Sequence, residues 1–249
     1  MPVLAIYYFW PHFTMKSKNK QRLILAILGL TAIFGTFSGS DEPAPRVLRG
    51  TSVARVLYAL HSGNSILFNL SVGVLVSLFF WWLVVAVPQA EKRKMLRNNL
   101  QRQYMLFKEE VVHILLFAIG GSHDVDTAKR LLDYTEFQSY FKANNYANWY
   151  AALNGLQDEQ GRINDLLVEM DILSREVAYV LNNIDVEDEQ AHAFFKGLTT
   201  HLFRLKNCTT YTADHVKYLG QFIWELLGRW SFIDGQHTND VVQDMIDCI

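Results

Sequence analysis

The sequence has few of the residues that cross-link or interrupt small folds: 249 residues include two Cys and five Pro. Two cysteines exclude a disulfide-stapled scaffold and every zinc module that needs four thiolates. The five Pro and 14 Gly also exclude collagen-like and low-complexity chains. A net charge of −2 gives no overall nucleic-acid signal. Because half of the residues are hydrophobic, a disordered chain is excluded as well.

One apolar run is long enough to cross a membrane. Residues 66–87 are 22 residues without an ionisable side chain. As a helix they would span about 33 Å, and the hydrocarbon core of a bilayer is roughly 30 Å thick. We therefore predict a transmembrane helix there, with Trp81 and Trp82 in the interfacial aromatic belt and Pro88 at the exit from the membrane.

A second, shorter apolar run comes earlier in the chain. Leu23 to Phe37 is 15 residues long, and the three residues that follow it can extend it to position 40. Basic residues precede the run, so a signal peptide is one reading. No small-residue cleavage motif follows, which favours an uncleaved transmembrane helix at residues 23–40.

The distribution of Lys and Arg predicts the orientation. Four lie just before the first span, three lie between the spans, and five lie shortly after the second. By the positive-inside rule, residues 1–22 and the C-terminus are cytoplasmic and residues 41–65 form a periplasmic loop of a bacterial inner-membrane protein. Within that loop, Val53 to Leu60 is either a short interfacial helix or a connector. We also hypothesise that translation starts at Met15.

The charge changes sign along the cytoplasmic part. Residues 88–108 form a basic juxtamembrane neck, whose cations we expect to contact lipid headgroups. Residues 109–249 hold ten basic and 22 acidic residues, a net charge of −12. Such an acidic body argues against direct nucleic-acid binding and favours a basic protein partner. The neck residues expected at the headgroups are Lys92, Arg93, Lys94, Arg97 and Arg102.

Apolar residues of the cytoplasmic part recur every three or four positions, which predicts helices. The fold class is therefore all-α: two transmembrane helices followed by an irregular cytoplasmic helical bundle. Residues 144–155 are expected to form a short helix between turns. The acidic cluster before Phe194 suits a helix N-terminus. The four predicted apolar stripes run from Leu96 to Ala118, from Ile163 to Ile184, from Phe194 to Leu205, and from Val216 to Trp230.

Candidate catalytic groups are sparse. Two Glu-x-x-His pairs, Glu110/His113 and Glu189/His192, have the spacing of di-iron ligands, with Glu169, Glu176 and Glu225 as candidates for the remaining ligands. At about 100° per residue, both pairs fall away from the apolar stripes of their helices, which favours solvated charge over a metal site. We expect Cys208 and Cys248 to be free thiols. The prediction is a protein that is not an enzyme and has no cofactor or metal.

Small residues spaced four apart occur in both spans, as Gly35 with Gly39 and Gly73 with Ser77. Such pairs let helices pack closely in a membrane, so we expect the protein to form homo-oligomers. Asn69 is expected to face interfacial water or a partner helix. Two helices cannot enclose a pore alone, so any channel would have to be oligomeric.

The run SILFNLSVGVLVSLFFWWLVVAVP and the following EKRKMLRNNLQRQYMLFKEE resemble the second span and basic neck of the two-transmembrane effectors that accompany bacterial retron reverse transcriptases. The later VAYVLNNIDVEDEQAHAFFKGL is similar to their helical cytoplasmic part. The resemblance implies an antiphage role, in which a reverse transcriptase complex holds the effector silent until release leads to membrane damage and abortive infection. It implies no catalytic residues.

The sequence thus predicts the membrane-disrupting effector of a retron-type abortive-infection system, whose helical domain binds a regulatory protein. Its partners would be the lipid bilayer, further copies of the chain and a basic protein, with the reverse transcriptase as the candidate that the resemblance implies. The alternative is a non-toxic membrane anchor or scaffold for a cytoplasmic protein complex.

Overall fold

The computed structural model describes most of the chain and confirms the all-α fold class. Its described residues divide into two compact units, residues 17–92 and residues 93–249. The ranges that it describes are 17–40, 55, 58–59, 61–120, 124–186, 188–207, 213–231 and 235–249.

The described residues of the first unit include two helices and the beginning of a third. Helix α1 is Ser17–Gly39 and helix α2 is Ser65–Trp81. A π-helical turn, Trp82–Ala86, joins α2 to helix α3, Val87–Ala118. Helical conformation is therefore unbroken from residue 65 to residue 118, and by length and composition this helix could cross a membrane. The apolar part of α1, Leu23–Gly39, is shorter.

The second unit follows α3 with further helices and one small ladder. These elements are α4 (Val125–Arg130), α5 (Tyr134–Asp158), α6 (Gln160–Asn183), α7 (Glu189–Lys206), α8 (Ala213–Leu227), β1 (Trp230–Ser231), β2 (Gly235–Gln236) and α9 (Val241–Asp247). The two strands pair antiparallel, with Trp230 opposite Gln236.

One buried apolar cluster includes side chains from every helix from α3 to α9. The predicted stripe on α3 is buried along its whole length, because residues three and four apart share one helical face. The stripes on α6 and α7 also supply buried residues. The acidic cluster acts as expected, since Asp188 caps α7 by accepting a hydrogen bond of 2.7 Å from the backbone N–H of Ala191.

The last predicted stripe is wrong at its end. Helix α8 stops at Leu227, and Trp230 lies in β1 instead of on the helix. Arg229 takes a left-handed conformation with φ of 50°, which turns the chain out of the helix. Helix α9 was not predicted either. Helix α5 is longer than the predicted segment 144–155 and bends sharply at Ala143 to Tyr146.

Several expectations fall on residues outside the described ranges. These are the proposed start at Met15, most of the loop 41–65 with the segment from Val53 to Leu60, and Cys208. Cys248 is described and is a free, exposed thiol.

A buried ion pair connects α3 to the start of α9. The ammonium of Lys108 lies 3.0 Å from Asp240, and the exposed fractions of the two side chains are 9% and 10%. The hydroxyl of Tyr104 donates to both oxygens of Asp240, at 2.9 and 3.1 Å. Burial, followed by the charge of Asp240, raises the pKa of Tyr104 well above its usual value. Asp240 also accepts a hydrogen bond of 3.2 Å from the backbone N–H of Gln243.

We predict that Asp240→Ala costs about 3–5 kcal/mol of folding free energy, because the ammonium of Lys108 would stay buried without its counter-ion. The measurement is urea unfolding of the full chain in mild detergent, followed by circular dichroism. The control is Glu159→Ala, which removes an exposed partner of Arg162 and should cost at most about 1 kcal/mol. Equal losses in the two variants would contradict the prediction.

His201 lies half-buried on α7, with its ring 5.2 Å from the ring of Phe222. Burial, assisted by the charge of Arg204, lowers the pKa of His201 from 6.5 to about 4. The unfolded chain takes up this proton below about pH 6.5, whereas the folded chain does so only near pH 4. Because of this histidine, the free energy of unfolding decreases as the pH falls from about 6.5 to about 4.

We predict that His201→Gln makes the loss of stability between pH 7 and pH 5 smaller than in the unmodified chain. Urea midpoints at the two pH values measure the effect. His192→Gln, at an exposed position on the same helix, is the control and should leave the difference unchanged. An unchanged pH dependence in His201→Gln would show that the imidazole titrates alike in the folded and unfolded chains.

Candidate functional site

Helices α1 and α2 pack against each other as an antiparallel hairpin. The contacts of the α1 glycines show the direction: Gly39 faces Asn64 and Phe68, whereas Gly29 faces Leu78. As the residue number falls along α1, the number of its partner on α2 rises. The hairpin is the part of the chain where the predicted membrane residues come together.

Two glycines of α1 have no room for a side chain. A Cβ on Gly39 would lie 2.7 Å from the carbonyl oxygen of Asn64 and 2.7 Å from the backbone nitrogen of Phe68. A Cβ on Gly35 would clash with the hydroxyl of Ser71, which is itself buried. The predicted small-residue pair of α1 therefore serves packing inside the chain, because it lets two helix backbones approach closely.

The end of the hairpin is held by hydrogen bonds to one carbonyl group. The carbonyl oxygen of Ser38 accepts from the backbone N–H groups of Ser62, at 2.9 Å, and Gly63, at 3.3 Å. The side chain of Asn64 caps α2 by accepting from the N–H groups of Ile66 and Leu67. Sequence reasoning missed Ser71 and Asn64, although a serine and a capping asparagine beside an apolar run are visible signals.

The second small-residue pair lies on an open face of α2. A Cβ on Gly73 would meet no atom within 4 Å among the described residues. The hydroxyl of Ser77 is satisfied within the helix, because it donates to the carbonyl oxygen of Gly73 at 2.8 Å. Asn69 lies one helical turn before Gly73 and is exposed on the same side of α2. We call these three residues the open stripe; it can accept a closely packed helix.

The outer surface of the hairpin is apolar on many sides. Leu30 is 68% exposed, Ile66 is 77% exposed and Phe80 is 56% exposed. Trp81 and Trp82, the predicted interfacial aromatics, are also largely exposed near the end of α2. Contiguous exposed apolar surface of this kind marks an interaction with lipid or with another protein.

The helix passes through Pro88 without a break. Proline lacks an N–H and crowds the carbonyl four residues earlier, which disrupts a regular helix. Here the preceding turn is π-helical, and the N–H of Val87 donates to the carbonyl of Trp82, five residues back. The wider turn accommodates the proline, so the helix continues into the basic neck.

The neck residues lie on the surface of the continuing helix. Lys92, Lys94 and Arg102 are exposed, whereas Arg93 and Arg97 are half-buried. Arg93 donates to the carbonyl oxygen of Asp185 at 3.4 Å, which connects it to the segment that follows α6. The structure therefore assigns Arg93 a second contact in addition to the headgroup role that the sequence suggests.

The Glu-x-x-His pairs do not converge on a metal site. Glu110, Glu189 and His192 are exposed, and His113 is half-buried. Burial first, and then the charges of Glu110 and Asp165, raises the pKa of Glu169. Within the described ranges, no group of three or more His, Cys, Asp or Glu side chains is arranged to hold a metal ion.

We predict that Gly35→Leu weakens the hairpin by about 1–3 kcal/mol, because the new side chain must displace Ser71 or separate the helices. The measurement is the temperature at which the detergent-solubilised full chain loses its monodisperse peak in size-exclusion chromatography. Ala26→Leu is the control, since it adds similar bulk at an exposed position of α1. An equal fall in both variants would contradict the close packing assigned to Gly35.

The comparisons with known proteins add no relative from which a function could be transferred. No protein-family model matches this chain, and neither a curated protein nor a solved structure matches it.

Proposed function

We propose that this chain is a two-pass protein of the bacterial inner membrane whose hairpin self-associates and disrupts the membrane, under the control of the acidic helical domain. One observation carries the proposal: Gly35 and Gly39 are closed by packing within the chain, whereas the open stripe with Gly73 and Ser77 is not. A hairpin with one used and one unused close-packing face is suited to binding further copies of itself.

The exposed apolar side chains of α1 and α2 support a bilayer as the surroundings of the hairpin. In water, such a surface would be an aggregation hazard, whereas in lipid it needs no cover. The first helix has a short apolar part, and the lysines and arginine that precede it can extend towards headgroups through their apolar stems.

The charge pattern supports the orientation within the proposal. The basic neck after α2 would face the anionic cytoplasmic leaflet, where each well-placed cation contributes about 1 kcal/mol. Both termini then lie in the cytoplasm. The net charge of −12 on residues 109–249 would be repelled by the same leaflet, so a basic protein is the partner that fits this surface.

The resemblance of the second span and neck to retron-associated effectors supports a specific partner and trigger. In this proposal, a reverse transcriptase complex binds the helical domain and holds the hairpins apart, and loss of the complex during phage infection permits their association. The chain itself performs no catalysis, and the lipid bilayer is its target.

We predict that expression of the unmodified chain alone depolarises the inner membrane, and that Gly73→Leu abolishes most of this effect because its side chain blocks the open stripe. A potential-sensitive dye measures depolarisation in cells with equal membrane levels of each variant. Ala26→Leu, which adds similar bulk at an exposed position of α1, is the control and should remain active.

A normal membrane potential at high, confirmed membrane expression of the unmodified chain would overturn the proposal. Full activity of Gly73→Leu would overturn the role of the open stripe.

The alternative function, a membrane anchor for a cytoplasmic complex, is favoured by the exposed surface of the helical domain together with a hairpin that needs no partner to pack. A stoichiometric protein partner recovered without growth inhibition would select it.

A further inference from the structure

A cavity of about 660 Å³ lies in the helical domain, between α5, α8 and β1. Three tryptophans, two tyrosines, two lysines, one glutamine and one leucine line it. This volume is in the range of small-molecule sites, which are mostly apolar and aromatic with a few polar groups. None of the membrane residues of the proposed function takes part in it.

The bend in α5 creates one wall of the cavity. Asn144, Asn145 and Tyr146 are consecutive non-glycine residues with φ values of 49°, 57° and 63°. Such a left-handed run is uncommon and costly, and it persists only where the surroundings hold it. The side chain of Asn148 donates to the carbonyl of Tyr140 at 2.9 Å across the bend. The bend places the ring of Tyr146 5.8 Å from that of Trp224.

A glycine on α8 allows the opposite wall to approach. A Cβ on Gly220 would lie 2.5 Å from a methyl group of Leu153 and 3.4 Å from the ring of Trp149. Close approach of α8 brings the rings of Trp149 and Trp224 to 4.9 Å, at an angle of 64°. The buried walls of the cavity are therefore aromatic, while Tyr150 is 60% exposed beside them.

The charged side chains that line the cavity are positive, whereas the domain as a whole is negative. Lys142 and Lys217 line the cavity, and the described residues contribute no carboxylate to it. The ammonium of Lys142 lies 5.8 Å from the ring centre of Trp224 and 5.4 Å from that of Trp230. Because a lysine already occupies the cation position over these rings, a cationic ligand is disfavoured and an anion is favoured.

We infer that this cavity is a binding site for a mononucleotide. The flat base would stack on the exposed rings of Tyr146 and Tyr150, and the phosphates would contact Lys142 and Lys217. Gln221 also lines the cavity, and its Nε2 donates to the carboxylate of Glu225 at 3.4 Å. A nucleic-acid strand fits less well, because its further phosphates would meet a domain with a net charge of −12.

The test is isothermal titration of the full chain in mild detergent with ATP, GTP, CTP and UTP in turn. At least one nucleotide should bind, and inorganic tripolyphosphate should bind more weakly than that nucleotide because it lacks the ring. Lys217→Gln should weaken binding about tenfold through loss of one charge-assisted contact. Tyr150→Ala should weaken it through loss of a stacking surface.

The control variants are Lys129→Gln on α4 and Tyr179→Ala on α6, which change exposed residues outside the cavity and should bind like the unmodified chain. The inference is overturned if none of the nucleotides binds, if tripolyphosphate binds equally well, or if Lys217→Gln binds normally. Tighter binding of a short oligothymidylate than of any nucleotide would also overturn it. These titrations do not read membrane disruption, so they succeed or fail separately from the proposed function.

Discussion

The placement of apolar side chains divides this chain into two parts. In one part they are buried against each other, and in the other many of them are exposed. In residues 93–249, apolar residues recur on one face of each helix, and those faces meet in a single buried cluster. Burial of such faces supplies most of the stability of a domain in water. In α1 and α2, apolar side chains point outward as well as inward. The close contact of Gly39 with the backbone near Asn64 shows that helix backbones, rather than large side chains, meet inside the hairpin.

Periodicity in the sequence was enough to predict the helices and much of the core. The stripe from Leu96 to Leu115 needs only the spacing of three and four residues, since a helix fixes which residues share a face. The end of α8 was mispredicted because Trp230 continues the apolar spacing, whereas Gly228 and the left-handed Arg229 redirect the backbone. The spacing of apolar residues carries no information about the backbone conformation of Gly228 and Arg229, because neither residue belongs to the apolar pattern.

The functional features were less predictable for the same reason. Both small-residue pairs have the same spacing, and only the partner helix distinguishes Gly35, which is covered, from Gly73, which is open. Helical spacing alone assigns an aromatic residue such as Trp224 to the core. Trp149 and Trp224 are indeed buried, but they also form walls of a cavity, because a left-handed bend at three consecutive residues interrupts α5.

The bond between Tyr104 and Asp240 has a consequence for the order of events during folding. The two residues are 136 positions apart, so the polar groups on α3 gain their partner only after that length of chain has been synthesised. Until then, Lys108 must stay hydrated, and the neighbouring part of α3 cannot be sealed from water. Contacts with such a large sequence separation form slowly. The ribosome therefore completes nearly all of residues 93–249 before α3 can form its polar contacts with Asp240.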